Sequence, residues 1–189
     1  MIFDIGANEG QSLKLFTTLF PRSEIHAFEP DPAAFALASR GVRPGVHLHP
    51  FAMGETDSEM QFNHYTGSDM SSFLEPGRES WSRVESQHTV TVRSVDSYCA
   101  EHGIDEIDIL KSDTQGFDGA VLRGARRMLE AKKIGLIKVE LTFMELYQQQ
   151  QDPLELLKWL VGLDYRILSF YDQQHRNGAL GWMDAMLVR

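Results

Sequence analysis

The sequence predicts an α/β fold: a mostly parallel sheet with helices on both faces. Three observations predict it. Short apolar runs alternate with stretches of helical period along most of the 189 residues. The first run, Met1-Ile2-Phe3-Asp4-Ile5, ends in a glycine-bearing turn and passes straight into a helical pattern, the opening of a nucleotide-type α/β unit. The last two apolar runs have no helix between them, so they should pair antiparallel.

The first turn is Gly6-Ala7-Asn8-Glu9-Gly10, after which Leu13, Phe16 and Phe20 recur at helical spacing. Glycine at 6 and 10 lets the backbone turn sharply and approach a ligand, and the free N–H groups of the new helix face that ligand. An ordinary tight strand-to-helix turn explains the glycine spacing equally well. What favours a binding turn is the next stretch. Ser23 to Phe28 reads as a second strand ending in Glu29, about where a dinucleotide-type unit places its ribose-binding carboxylate. Pro30 stops that strand. Asp31 as N-cap and Pro32 at the first helical position then start a helix running to about Ser39.

A Gly/Pro-rich turn over 41–45 leads to a third strand around 46–51, closed by Ala52-Met53-Gly54-Glu55. Met60, Phe62 and Tyr65 alternate with Gln61, Asn63 and His64, the period of a half-buried strand. Residues 66–87 have no clean period, and a loop that long is either disordered or a functional lid. Phe73 and Trp81 within it argue against disorder. Thr89 to Val92 is a strand, and Val95 to His102 a short helix ending at Gly103. Ile107 to Lys111 reads as a central buried strand that delivers Ser112-Asp113-Thr114-Gln115-Gly116 at its carboxyl end. A helix is expected from Phe117 to about Ala131. A strongly apolar strand follows over 134–141, with Glu140 near its end. Asp152-Pro153-Leu154-Glu155 starts a last helix running to about Leu163. The closing strands span 165–171 and 183–188, with a polar loop over 172–181 between them.

Composition narrows the function. With 42% hydrophobic and 24% charged residues, the chain suits one domain over 1–189 with a sizeable core. Its net charge of -9 argues against nucleic acid as a partner. Arg123, Arg126, Arg127, Lys132 and Lys133 read as the solvated side of one helix rather than an anion site. Cys99 is the only cysteine, so no intramolecular disulfide can form, and a reducing, cytoplasmic location is expected. Met1 leads straight into a strand without a signal peptide, a start that fits a trimmed chain or a minimal domain. No apolar run is long enough to insert into a membrane.

In sheets of this kind ligands sit outside the carboxyl ends of the strands. Asp4, Gly6, Glu29, Ala52, Asp113 and Glu140 all fall at that edge, and their convergence is the argument for a site. With those residues in hand, the chain resembles the FkbM family of S-adenosylmethionine-dependent methyltransferases over nearly its whole length. The resemblance rests on Asp4-Ile5-Gly6-Ala7-Asn8-Glu9-Gly10, on Phe28-Glu29-Pro30, and on Lys111-Ser112-Asp113-Thr114-Gln115-Gly116-Phe117-Asp118. The Leu122-x-Gly124-Ala125 that follows, the closing Asp184-x-Met186-x-Val188 and the pair Ser71-Ser72 add to it. The family's usual central pattern is Lys-hydrophobe-Asp-x-Glu-Gly-x-Glu. Here Ser112 replaces the hydrophobe, Gln115 the first Glu and Asp118 the second.

The resemblance implies a class I methyltransferase fold, a Rossmann-like seven-stranded sheet ending in an antiparallel hairpin. It implies O-methylation of a hydroxyl on a sugar or other small molecule, with S-adenosyl-L-homocysteine as product. Carried over by position, Gly6, Ala7, Asn8 and Gly10 wrap the methionine part of the cofactor, with Asp4 and Pro30 beside them. Glu29 holds the ribose, Ala52 and Met53 lie near the adenine, and Asp113 sits by the sulfonium and the acceptor. The 66–87 loop covers the substrate.

A hydroxyl acceptor must lose a proton as the new bond forms. Asp113 is the first candidate for that step, Glu140 the second and His64 the third. Equally, Asp113 serves only to hold cofactor or backbone, and Glu140 is a structural strand-end carboxylate. Asp113, Asp118 and Glu140 offer carboxylates to a divalent cation, but Gln115 removes one, and no obligatory metal is expected. Gln115 keeps open a degenerate cofactor-binding chain without turnover. A nicotinamide-dependent oxidoreductase is disfavoured, because Asn8 stands where Gly-x-Gly-x-x-Gly needs its middle glycine. Phe73, Trp81, Tyr147, Tyr171 and Trp182 are candidates to stack on a ring of the acceptor, or are simply core.

Overall fold

The computed structural model describes residues 1–66 and 70–189. Its strands are β1 (Ile2–Ile5), β2 (Ile25–Phe28), β3 (Val46–His49), β4 (Ala52–Met53), β5 (Ser58–Tyr65), β6 (Val84–Arg93), β7 (Ile107–Ser112), β8 (Ile134–Thr142), β9 (Arg166–Arg176) and β10 (Ala179–Val188). Its helices are α1 (Gln11–Leu19), α2 (Pro32–Ala38), α3 (Val95–His102), α4 (Asp118–Gly124), α5 (Arg126–Glu130) and α6 (Pro153–Gly162).

Seven strands form one sheet in the order β3-β2-β1-β7-β8-β10-β9. The first four pairings in that order are parallel and the last two antiparallel, as a strand–helix alternation closed by a hairpin requires. Ile2, Ile25 and Ala27 pack with Leu13 and Phe16 of α1 on one face. Phe3, Ile5, Phe28 and Leu110 pack on the other with Tyr98 of α3, Val121 and Leu122 of α4, Leu129 of α5 and Leu160 of α6. From β1 the chain builds outward to β3, then returns to lay β7 on the opposite side of β1. The carboxyl ends of β1 and β7 therefore flank the switch point, where such sheets leave a crevice.

The structure departs from the expected boundaries at five places. The third strand stops at His49, and Ala52–Met53 joins a separate three-stranded sheet in the order β4-β6-β5. Its strand β6 begins at Val84 rather than at 89, because the antiparallel partner β5 supplies pairing from Ser58↔Val92 to Tyr65↔Val84 whatever the local period. The helix expected over 117–131 is two helices. Both carboxylate oxygens of Asp96, on α3, accept the backbone N–H groups of Arg127 (2.8 Å) and Met128 (3.1 Å), so a new helix start is stabilised there. The terminal hairpin is longer than expected and has a two-residue turn, Asn177-Gly178, with φ of 51° and 79°. That is a tight hairpin turn; the polar run before it is edge strand, exposed on both faces, and hides the alternation.

The fifth departure is the 66–87 segment, whose residues 67–69 lie outside the described residues. Its remainder is tied down: Ser72 and Asn63 exchange backbone hydrogen bonds of 2.9 and 3.1 Å, and Met70 packs with Tyr65 and Tyr147. Cys99 is buried, and burial pushes its thiol up to about 12, which suits a small core residue. Among the described residues no helix is long and apolar enough to cross a membrane.

Candidate active site

A cavity of about 310 Å³ opens at the switch point. Of the residues singled out in the sequence, Gly6, Ala7, Asn8, Glu29, Pro30, Ala52, Met53 and Asp113 line it. Asp4, Gly10 and Glu140 do not, and each has another place.

Asp4 lies beneath the first turn with none of its surface exposed. It is the register partner of Lys111 across β1 and β7, so the two side chains share a face. The Lys111 ammonium is 3.2 Å from Asp4 Oδ1 and 3.7 Å from Asp113 Oδ2, and it donates to the Gly6 carbonyl at 2.7 Å. Burial alone would lower its pKa; the two carboxylates outweigh burial and raise it, so the amine stays charged. Ser12 Oγ donates to the other oxygen of Asp4 at 2.6 Å, holding the first turn of α1. Asp4 thus acts on the cavity through Lys111 and Ser12, both of which line it. Ser12 was not singled out in the sequence, and Lys111 only as part of the motif that carries the resemblance. The signal was present: an acid inside an apolar strand needs a buried cation, and Lys111 ends the neighbouring apolar strand.

Gly6 has φ of 77°, and a Cβ there would stand 2.0 Å from the Asp113 carbonyl oxygen. Only glycine lets the two strand ends come this close. Gly10 caps α1 from the left-handed region, φ 92°, behind the lining.

Glu29 is a clamp. Its Oε2 accepts from the Asn8 N–H and its Oε1 from the Asp31 N–H, both at 2.8 Å. The carboxylate expected to face a ribose therefore also ties the first turn to the end of β2. Burial raises its pKa to about 7, and the two N–H donors only partly offset this. Next to it, burial pushes the Asp31 carboxyl up, but the N–H groups of Ala34 and Ala33 and the ring of His64 more than compensate and hold it low. His64 Nδ1 lies 2.7 Å from Asp31 Oδ2, off the cavity wall.

Asp113 reaches the cavity from the end of β7. Gln115, in the left-handed region at φ 54°, donates from Nε2 to Asp113 Oδ1 at 3.1 Å, and its Oε1 accepts from the Tyr147 hydroxyl at 2.9 Å. Its own carbonyl accepts from Ser72 Oγ at 2.7 Å. A glutamate at 115 would offer Asp113 no donor. Glu140 sits one strand over, in a smaller crevice with Asp118 and Thr142. Burial, then the charges of Asp113, Asp118 and Asp184, raise its carboxyl well above the usual range. Asp118 is likewise raised by burial, to about 6, while it accepts from Ser112 Oγ at 2.6 Å.

Phe28, Phe62, Phe73, Ser71 and Lys138 also line the cavity. Lys138 is paired with Asp184 at 2.7 Å. Of the five aromatics weighed as ring platforms, Phe73 alone lines the cavity, against Phe117 at 4.7 Å between centroids. Tyr147 is core, and Trp81 packs on Trp182 at 5.9 Å.

With this geometry in place, comparison with known proteins gives a consistent picture. The sequence profile described as Methyltransferase FkbM domain matches residues 4–167. The 2-O-methyltransferase NoeI of Sinorhizobium fredii is 28% identical over 163 residues, covering 79% of this chain and 66% of that protein. The chain thus spans just under two thirds of that relative's length. Among solved structures, an S-adenosylmethionine-dependent methyltransferase from Listeria monocytogenes superposes with a TM-score of 0.58 at 7% identity, over 100% of this chain and 90% of its own. Fibrillarin from Aeropyrum pernix, in complex with S-adenosyl-L-methionine, gives 0.55 at 12% identity, over 99% and 65%. These superpositions establish the fold: a class I methyltransferase sheet with its terminal antiparallel hairpin.

The buried cation yields a stability prediction. Lys111→Met leaves the Asp4 carboxylate buried without its partner, and urea unfolding at neutral pH should register a loss of about 3–5 kcal/mol. Removing both charges, in Asp4→Asn with Lys111→Met, should recover most of that loss. A single variant costing under about 1 kcal/mol, or a double variant no better than the single, would contradict the role given to this pair.

Proposed function

The chain belongs to the FkbM methyltransferase-domain family, and from that premise we propose that it transfers a methyl group from S-adenosyl-L-methionine to a hydroxyl of a small molecule or sugar. The observation that carries this reading is the cavity at the switch point, with Glu29 and Asp113 on its wall. Its residues fit the cofactor. The side-chain oxygen of Asn8 is buried there with no hydrogen-bond partner among the described residues, as expected of a group that meets a polar ligand. The Gly6 cradle leaves room that any Cβ would close.

On this reading the first turn and the free N–H groups of α1 hold the amino-acid end of the cofactor. Glu29 accepts the ribose hydroxyls with the lone pairs its two backbone donors leave free. Phe28, Ala52 and Met53 flank the base. The bound cofactor supplies an electrophilic methyl on a sulfonium. Asp113, aimed by Gln115 and Lys111, takes the proton of the acceptor hydroxyl, and the walls exclude water and align the acceptor. Glu140, outside the cavity and raised in pKa, serves the acidic cluster behind Asp113. The 70–83 segment, through Ser71 and Phe73, covers the acceptor side as a fixed wall. The relative named for 2-O-methylation supports a hydroxyl acceptor.

A thermal-shift titration tests the reading. S-adenosylhomocysteine at about a hundred times its dissociation constant should stabilise the fold by roughly 2.7 kcal/mol, whereas NADH should give no shift. Because Glu29 has a pKa of about 7 and ribose hydroxyls donate to its ionised form, binding should tighten as pH rises through 7. From pH 6 to 8 the gain should be about tenfold. Glu29→Gln should bind weakly and without that dependence. Stabilisation by NADH alone, or a pH-flat affinity in the unaltered protein, would sink the assignment.

Turnover is tested separately, by S-adenosylhomocysteine release over a panel of sugar and phenol acceptors. Asp113→Asn should lower kcat by about 10²–10⁴-fold while product affinity holds. Gln115→Glu should reduce kcat by removing the donor to Asp113. If instead the unaltered chain is silent and Gln115→Glu turns over, the reading of a cofactor-binding chain without activity takes its place.

A further inference from the structure

The amino ends of β2 and β3 carry a second cluster that shares no lining residue with the cavity above. His26 and His47 are register partners, and their rings stack with centroids 4.7 Å apart. Glu24, just before β2, places Oε1 3.2 Å from His47 Nε2 and 3.7 Å from His26 Nε2. One nitrogen or oxygen from each of the three residues falls within 4.8 Å of the others. The group borders a separate cavity of about 520 Å³, also lined by Tyr98 and His102 of α3.

His26 is the informative member. It is 6% exposed, and its Nε2 is buried with no hydrogen-bond partner among the described residues. Its other nitrogen, Nδ1, lies 2.7 Å from the Tyr98 hydroxyl, which lies 3.0 Å from His49 Nε2. That chain is satisfied in either direction, with His26 Nδ1–H donating to Tyr98 and Tyr98 to His49, or with His49 Nε2–H donating to Tyr98 and Tyr98 to His26. In the first direction Nε2 carries a lone pair on the side of Glu24, whose Oε1 is 3.7 Å away, and a bound cation would select that direction.

We propose that Glu24, His26 and His47 bind a divalent transition-metal cation of the zinc type. Two imidazoles and one carboxylate are a borderline-soft ligand set that suits zinc. A tetrahedral shell with metal–ligand distances near 2.0–2.2 Å spaces its ligands about 3.3–3.5 Å apart. Glu24 and His47, with side chains 53% and 47% exposed, are free to close the remaining gap on a fixed His26. Tyr98 holds that ring in position and, with a cation on Nε2, accepts from Nδ1–H, as outer partners of metal-bound histidines do. Water would supply the fourth ligand. Such a cation pins β3, the edge strand of the sheet, to its neighbour, and takes no part in the chemistry proposed at Asp113.

The test is calorimetric titration of zinc into the untagged chain after chelator treatment and desalting. One equivalent should bind with a dissociation constant of about 1–10 µM and raise the melting temperature. Cobalt should give the visible bands of a tetrahedral site. His47→Ala and Glu24→Gln, both at half-exposed positions that should still fold, should each weaken binding by about tenfold or more. His175→Ala should leave it unchanged, and the response to S-adenosylhomocysteine should survive in all three variants. No binding by the unaltered chain up to about 1 mM zinc, or undiminished binding in both cluster variants, would overturn the proposal.

Discussion

The cavity at the switch point depends on one buried ammonium. Lys111 is 4% exposed, and a charge so far from water is tolerated only when its partners replace hydration. Asp4 and Asp113 supply the counter-charge and Gly6 a carbonyl. Because Asp4 and Lys111 are register partners on β1 and β7, the pair sits where the strand order reverses. It sets the Gly6 carbonyl from below and orients Asp113 from the side. The first turn therefore has little freedom left before any ligand arrives.

A second layer of hydrogen bonds holds the parts that Lys111 does not reach. Glu29 gathers the N–H groups of Asn8 and Asp31, which belong to two different turns. Gln115 joins Asp113 to Tyr147 through its side chain and to Ser72 through its carbonyl. In-line displacement at carbon, the reaction proposed for this chain, gives a protein little covalent work, so positioning is the main service it can provide. A wall whose polar groups are already fixed by the fold suits that demand. Neighbouring acids are handled differently. Glu140, Asp118 and Asp184 all have raised pKa values, because burial and mutual repulsion oppose their ionisation.

Much of this was legible in the linear chain. Apolar alternation with helical spacing located most of the elements, and Asp31-Pro32 and Asp152-Pro153 marked two helix starts to the residue. Gly6, Asn8, Glu29 and Asp113 could be named because turns and strand ends have local signatures. Lys111 was visible only as part of a motif. Its role needed Asp4, more than a hundred positions away, to be brought alongside. The break at Ala125 was invisible for the same reason, since the carboxylate that caps α5 belongs to α3. Asn177-Gly178 is a different failure: a strong hairpin signal lay masked inside a polar run.

Sequence by itself determined most of the strands and helices, that the sheet is parallel until its closing hairpin, and that Glu29 and Asp113 fall at the carboxyl edge of its strands. These follow from period, caps and chain order, which are local properties. Tertiary structure alone decided which acids face the cavity and which lie behind it. It separated Asp4 and Glu140 from the wall, put Gln115 on Asp113, and stacked His26 on His47 beside Glu24. Side-chain proximity across strands depends on register and burial, and pKa values follow from that proximity; neither is a property of a residue and its neighbours in sequence.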